Sequence, residues 1–384
     1  MRTTITLGFR SRRTLAAVAL TACAAAALTL AGTTAGPAGA VAPAPATATV
    51  ADAGDESQDF VFPGADTLDL HDGSNKYITY GASDHGKNVP YSISGSGNTV
   101  ATKPTIDGDA MPGGGGAWVK NGSGIWTPGA FYHASRYYLF YTAVKAGSDG
   151  QHCVGVASSS SPTSGFKAEA TPIVCPSKAN RWAIDADVTT GPSGAIWMVW
   201  RDGERAVGAE SALSVMMLKF QDNGTVDRNS DPVVILRSDN LDWAHYQDGA
   251  GVTVIENPSA IYHGGSWYLF YSGNSWSTNY YSTGIAYCGP TIDSGLCSPM
   301  PGPARAYFSY SGPKAHLPDG QRLHGLPGNK RGPGAMDVYL ARDGKPWVTW
   351  NYLTGDTGTG RKSRVGRLNI TGSGASADFS VTLP

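Results

Sequence analysis

Gly264 to Gly273 reads GGSWYLFYSG: a turn-forming glycine pair, then a short aromatic strand. Four other stretches share the build. Gly73 to Gly81 reads GSNKYITYG, Ala134 to Ala143 ASRYYLFYTA, Ser193 to Arg201 SGAIWMVWR, and Asp343 to Tyr352 DGKPWVTWNY. The recurring aromatics are Tyr80, Tyr141, Trp200, Tyr271 and Trp350, spaced 61, 59, 71 and 79 residues apart. That period is long for a solenoid and suits four-stranded propeller blades carrying insertions. The expected fold is all-β, a five-bladed propeller of four-stranded antiparallel blades over residues 60–384. Glu210 to Phe220, ESALSVMMLKF, has helix formers, but its alternation and the Asp222-Asn223-Gly224 turn predict a strand. In such a ring, residues distant in sequence converge on the central channel. Closure needs the first and last blades to pair, and Asp378 to Leu383 is strand-like enough to take part.

The 384 residues include Gly 50, Trp 10 and Tyr 18, which suits short strands, tight turns and an aromatic-rich surface. Only 15% are charged and the formal net charge is −1, so the basic footprint of a nucleic-acid binder is absent. A strongly charged polysaccharide fits poorly for the same reason. The expected partner is a neutral polysaccharide or oligosaccharide, met by a monomer.

Residues 1–40 have the pattern of an export signal. Arg10 to Arg13 supply the basic start, Thr14 to Leu30 an apolar run, and Ala38-Gly39-Ala40 a small-residue cleavage site. Ser11-Arg12-Arg13-Thr14-Leu15 is similar to a twin-arginine motif. Leu20-Thr21-Ala22-Cys23 resembles a lipoprotein box, but the apolar run continues past Cys23. Residues 41–59, rich in Ala, Pro and Thr, make a flexible lead-in. The expectation is a secreted, extracellular chain with no membrane span in its mature form. Four cysteines then remain, Cys153, Cys175, Cys288 and Cys297, with three pairings open to them. The local pairs Cys153–Cys175 and Cys288–Cys297 are preferred. No C-x-x-C spacing supports a thiolate metal site.

Three blades carry an acid on a strand ahead of the aromatic hairpin: Asp66 in FPGADTL, Asp185 in WAIDAD and Glu256 in VIENP. Burying a carboxylate between Ile and Val costs several kcal/mol unless it is paired, exposed in a channel or functional. Three such acids at matching positions of a repeat point to function. Blade two carries Trp126-Thr127-Pro128 instead, where the indole either stacks on a sugar or packs between blades.

These motifs resemble glycoside hydrolase family 43, the five-bladed propeller glycosidases of arabinan and xylan. The strongest stretch is Glu256 to Cys288, with its Glu-x-Pro, its hairpin and Ser272-Gly273-Asn274. Ile184-Asp185-Ala186 is similar to the family's Ile-Asp-Pro and Trp126-Thr127-Pro128 to its Trp-Ala-Pro. The resemblance implies an inverting glycosidase with Asp66 as general base, Asp185 as pKa modulator and Glu256 as general acid. Trp126, Arg201, Asn274, Trp276 and Tyr281 are expected to line the sugar site, each lying near an acid at the same end of its blade. Asn274, Trp276 and Tyr281 also match the family's variable substrate loop, and the alternative for Trp276 and Tyr281 is packing of that loop against a Cys288–Cys297 staple. Asp66 lacks the family's following proline, and its alignment needs one extra residue in the His71 to Lys76 turn. Asp69 is the alternative. Ala335, in Gly334-Ala335-Met336-Asp337, stands where the family carries a histidine that serves a central metal in many members. No metal or cofactor is therefore required, a channel calcium stays open, and Asp337 is free to meet sugar or solvent. A non-catalytic carbohydrate-binding propeller is the rival reading. A serine hydrolase would need a G-x-S-x-G elbow, which the chain lacks.

Overall fold

The computed structural model describes residues 59–204, 211–245, 254–309, 331–354 and 360–384. The leader, Cys23 and the lead-in lie outside them, apart from Asp59. The described residues form five antiparallel sheets, one per aromatic unit. Blade one contains β1 (Asp66–Asp69), β2 (Tyr77–Tyr80), β3 (Pro90–Ser94) and β4 (Gly108–Asp109). Blade two contains β5 (Trp126–His133), β6 (Arg136–Val144), β7 (His152–Ser159) and β8 (Lys167–Ala168). Blade three contains β9 (Arg181–Thr190), β10 (Ile196–Glu204), β11 (Ser211–Phe220) and β12 (Val226–Arg228). A fifth strand there, β13 (Val233–Arg237), also pairs with β11. Blade four contains β14 (Ile255–His263), β15 (Ser266–Gly273), β16 (Ser282–Gly289) and β17 (Ser298–Met300). Blade five contains β18 (Arg331–Leu340), β19 (Pro346–Leu353), β20 (Arg361–Thr371) and β21 (Asp378–Thr382).

The quoted aromatic stretches are the second strands of their blades, and the five recurring aromatics are all buried. Five apolar clusters sit one between each pair of successive blades. Tyr80 and Tyr141 share the cluster of blades one and two, and Trp200 joins that of two and three. Tyr271 packs between three and four, and Trp350 between four and five. A wide ring fills the wedge that two splayed sheets leave, so removing one leaves a cavity worth about 3–5 kcal/mol. Gly284 shows how tight the fit is: a Cβ there would come within 2.3 Å of the Tyr271 ring.

The ring closes through the segment ahead of β1. Phe60 exchanges both backbone hydrogen bonds with Ser363 on β20, at 3.0 and 3.1 Å. Asp378–Thr382 is simply the outermost strand of blade five, so closure falls to Phe60 and not to the C-terminal stretch. Both local disulfides, Cys153–Cys175 and Cys288–Cys297, are formed. No helix among the described residues is long and apolar enough to cross a membrane.

Candidate active site

Each inner strand bends at one end of the channel. The residue at the bend is in the left-handed region: Gly64 (φ 60°), Thr127 (35°), Asp185 (57°), Asn257 (48°) and Ala335 (47°). Such angles are strained for all but glycine and gather at functional sites. The hairpin register slips beside four of the five, between Trp126 and Gly129, opposite Asp185, between Glu256 and Ser259, and between Gly334 and Asp337. Bulges of this kind re-aim side chains, here into the channel. Five triplets line the resulting cavity of about 40 Å³: Gly64-Ala65-Asp66, Thr127-Pro128-Gly129, Asp185-Ala186-Asp187, Asn257-Pro258-Ser259 and Ala335-Met336-Asp337. That volume is room enough for a water or an ion.

The triplets correct one expectation: the three acids do not occupy matching positions. Asp185 is first in its triplet, Asp66 is third, and Glu256 precedes the first place. Hydrogen bonds confirm the equivalence. The third residue of one blade accepts the amide that follows the triplet of a neighbour, as in Ala130 N to Asp66 Oδ2 (2.6 Å), Thr67 N to Asp337 Oδ2 (3.1 Å) and Val338 N to Ser259 Oγ (2.9 Å). Asp66 therefore shares a layer with Asp187 and Asp337, and Gly64 holds in blade one the place that Asp185 holds in blade three. The cause is the hairpin turn of blade one. It runs from His71 to Lys76, closed by Leu70 N to Lys76 O, where blades two and four turn on Ala134-Ser135 and Gly264-Gly265. The alternative, Asp69, sits near that turn, paired with Arg342 and accepting the His71 amide.

Asp185 is fixed from three sides. It accepts Thr127 Oγ1 at 2.7 Å and Asn257 N at 3.2 Å, and its own amide donates to Thr142 Oγ1 at 3.0 Å. Burial raises its pKa above the usual aspartate range. Glu256, 9% exposed, accepts the Tyr281 hydroxyl at 3.0 Å and faces Arg201 Nη1 at 3.7 Å. Burial first, and then the charge of Asp185, push it up to about 7. Arg201 is held by Ser211 Oγ, which in turn donates to Ile255 O at 2.7 Å.

Of the expected sugar-site residues, Arg201 and Tyr281 thus meet Glu256. Trp126 (39% exposed) and Trp276 (45%) present rings to solvent. Asn274 reaches none of the acids: it is buried in its loop, donating to Tyr280 O at 3.1 Å. Two groups escaped sequence reasoning. Arg361 lies over the Tyr281 ring at 4.8 Å and binds the carbonyls of Trp276 and Gly332. No local motif marks it. Asp187 is the other; its i+2 spacing from Asp185 on β9 is the signal that could have found it.

Asp66, Asp187 and Asp337 bring one carboxylate oxygen each within 4.8 Å of one another. Burial raises all three. Asp66 rises well above the aspartate range, helped by Asp337 and Asp187, while Asp187 moves to about 6 and Asp337 to about 8. One oxygen of Asp187 is buried without a hydrogen-bond partner. Ala335 offers a metal nothing, but three hard carboxylate oxygens around an ion-sized cavity suit a divalent cation such as calcium.

The profile of Glycosyl hydrolases family 43 matches residues 64–372. Among solved structures, a thermostable family-43 glycoside hydrolase is 20% identical, with 84% of this chain and 93% of that one covered and a TM-score of 0.61. An endo-1,4-beta-xylanase from Bacteroides thetaiotaomicron is 19% identical, covering 85% and 96%, with a TM-score of 0.59. An alpha-L-arabinofuranosidase from Lactobacillus brevis is 16% identical, covering 84% and 96%, with a TM-score of 0.60. No curated protein matches the chain by sequence. At these identities the structural likeness speaks for the propeller fold alone.

Proposed function

The chain belongs to glycosyl hydrolase family 43, and from that premise we propose that it is a secreted enzyme cleaving O-glycosidic bonds in a neutral plant-type polysaccharide, arabinan, arabinoxylan or xylan, with inversion. The observation that carries this is Glu256: a buried carboxyl beside Asp185, with a pKa near 7, is a proton donor at neutral pH. In this reading Glu256 protonates the leaving oxygen. Asp185 keeps that proton in place through its own charge and is itself positioned by Thr127 and Asn257. Asp66 takes the proton of the attacking water, and it lines a cavity of about water size. Inversion uses such an acid and base roughly 6.5–9.5 Å apart, with water between base and sugar. Arg201 and Trp126 would hold sugar hydroxyls and a ring face. The leader and the two disulfides support export to an oxidising compartment.

A divalent cation held by Asp66, Asp187 and Asp337 would compensate their charge and keep Asp66 ionised. Without it, the three share protons, and Asp66 acts as base in the fraction where it is ionised. Gly64 at the place equivalent to Asp185 favours a second reading, a carbohydrate-binding propeller without turnover. Hydrolysis of aryl arabinofuranosides and xylosides by the purified protein, beside its Glu256→Gln variant, separates the two. Equal release from both proteins on polymer, or none from either on the whole panel and on polymer, rules out the enzyme as described.

A further inference from the structure

A second, larger cavity of about 590 Å³ opens between the loops of blades one and two. One wall is the segment after β2, from Ser83 to Asn88. The other runs from Pro112 to Gly124, ahead of β5. The walls are fastened to each other by hydrogen bonds. Asn88 donates to Met111 O at 3.0 Å and Pro112 O at 3.2 Å, and Ser83 Oγ accepts the Ile125 amide at 2.7 Å. The Asp109 carboxylate gathers the amides of Asn88, Val89 and Met111 at 2.9, 2.9 and 3.0 Å. Tyr141 accepts Gly116 N at 2.9 Å. A cleft so framed is preformed, and its volume lies in the ~300–1,000 Å³ range of ligand sites.

The cleft neighbours the candidate active site along the chain, its two walls lying next to residues that line the channel. Ala82, one residue before the first wall, packs on Gly64, where a Cβ would stand 3.3 Å from the Ala82 Cβ. Trp126 follows the second wall, and its Nε1 lies 3.9 Å from where Gly124 would carry a Cβ. The indole is braced on His152 at 4.2 Å, which leans on Trp182 at 4.2 Å. That leaves a partly exposed ring, placed in the chain between Gly124 of the cleft and Thr127 of the channel, the kind of surface on which a sugar ring stacks.

The lining chemistry selects the ligand. The run Gly113-Gly114-Gly115-Gly116 offers bare backbone, Asn121 offers an amide, Asp84, Lys87 and Lys120 offer one carboxylate and two ammonium groups, and only Pro112 and Val119 are apolar. An apolar ligand would find little to bury against. We infer that this cleft binds the polysaccharide chain beyond the residue being cleaved, with Trp126 handing it from the channel mouth to the glycine-lined groove. The inference rests on the proposed glycosidase reading and narrows it to a polymer-directed enzyme.

The full chain carrying Glu256→Gln, run in native gels containing linear arabinan or xylan, reads polymer binding without turnover. Adding Gly113→Trp fills the groove, since a Cβ at Gly113 meets nothing within 4 Å. The expected result is at least about a tenfold loss of polymer affinity, the factor that ~1.4 kcal/mol gives. In the active protein, kcat/KM should climb with oligosaccharide length, and Gly113→Trp should flatten that climb while sparing aryl monosaccharides. The double variant Lys87→Ala/Lys120→Ala trims two exposed walls without adding bulk and should also lose polymer affinity. Unchanged polymer retardation in both variants, or a flat length profile in the wild type, overturns the groove even when aryl glycosides are cleaved. Polymer binding that Gly113→Trp abolishes, in a protein that cleaves nothing, sustains the groove and overturns the enzyme reading instead.

Discussion

The hydroxyl of Tyr281 donates to Oε1 of Glu256 at 3.0 Å, and it accepts Nδ2 of Asn257 at 2.8 Å. With its lone pair taken, the phenol points its single proton at the carboxylate. That bond favours ionised Glu256 and opposes burial and Asp185, which favour the acid. Gly334 makes room for the arrangement, since a Cβ there would stand 2.3 Å from the Tyr281 ring. Replacing Tyr281 by Phe should therefore raise the Glu256 pKa from its value near 7. An acid catalyst is lost as pH climbs through its pKa, so the alkaline limb of kcat/KM should move to higher pH. A limb that stays or moves down would detach Tyr281 from the proton donor.

Glu256→Gln should lower turnover by roughly 10²–10⁴ on a glycan with a poor leaving group, the usual contribution of a general acid. An activated aryl leaving group departs without that proton, so its hydrolysis should fall much less. Steady-state rates on both substrate types check this. An equal loss on both would make Glu256 a binding group.

The propeller was legible because wedge packing demands the same residue type once per blade. Tyr80, Tyr141, Trp200, Tyr271 and Trp350 carry that demand in plain sequence. Asp185 and Glu256 were legible for a related reason, as acids among apolar neighbours on strands. The layer of Asp66 was not, because the longer His71 to Lys76 turn of blade one leaves the alignment of its inner strand to the other blades open in the sequence. Arg361 was hidden by topology: it comes to Tyr281 only because blade five folds back beside blade four.

Asp337 should set the acid limb of the pH profile. It adds to the burial that raises Asp66, so Asp337→Asn should lower the Asp66 pKa and carry the acid limb to lower pH. The same carboxyls link stability to pH. A raised carboxyl contributes stability fully present below its ordinary value of 3.8 and lost as pH rises through its folded value, about 6 for Asp187 and about 8 for Asp337. Melting temperatures in EDTA should then fall from pH 4 to 8 in the wild type and fall less in Asp337→Asn. Parallel curves would refute the coupling.

Trp276→Ala should raise KM and leave Tm within a degree or two. The ring is 45% exposed, and what the fold uses is the backbone carbonyl that accepts Arg361. A surface side chain away from packing changes stability by about 0.5 kcal/mol or less. A Tm several degrees lower with KM unchanged would make Trp276 a packing residue of its loop.

Asp66→Asn should abolish turnover while Asp69→Asn leaves it largely intact. Asp66 lines the channel cavity and accepts the Ala130 amide, whereas Asp69 is tied to Arg342 near the hairpin turn. An amide cannot take a proton from water, so the loss in Asp66→Asn should appear in kcat and be rescued by azide, a nucleophile that needs no base. Proton NMR of the first-formed anomer should show inversion, because a base-activated water attacks the face opposite the leaving group. Retention would replace the water with a covalent carboxylate. Activity lost in Asp69→Asn and kept in Asp66→Asn would move the base to the turn end of β1.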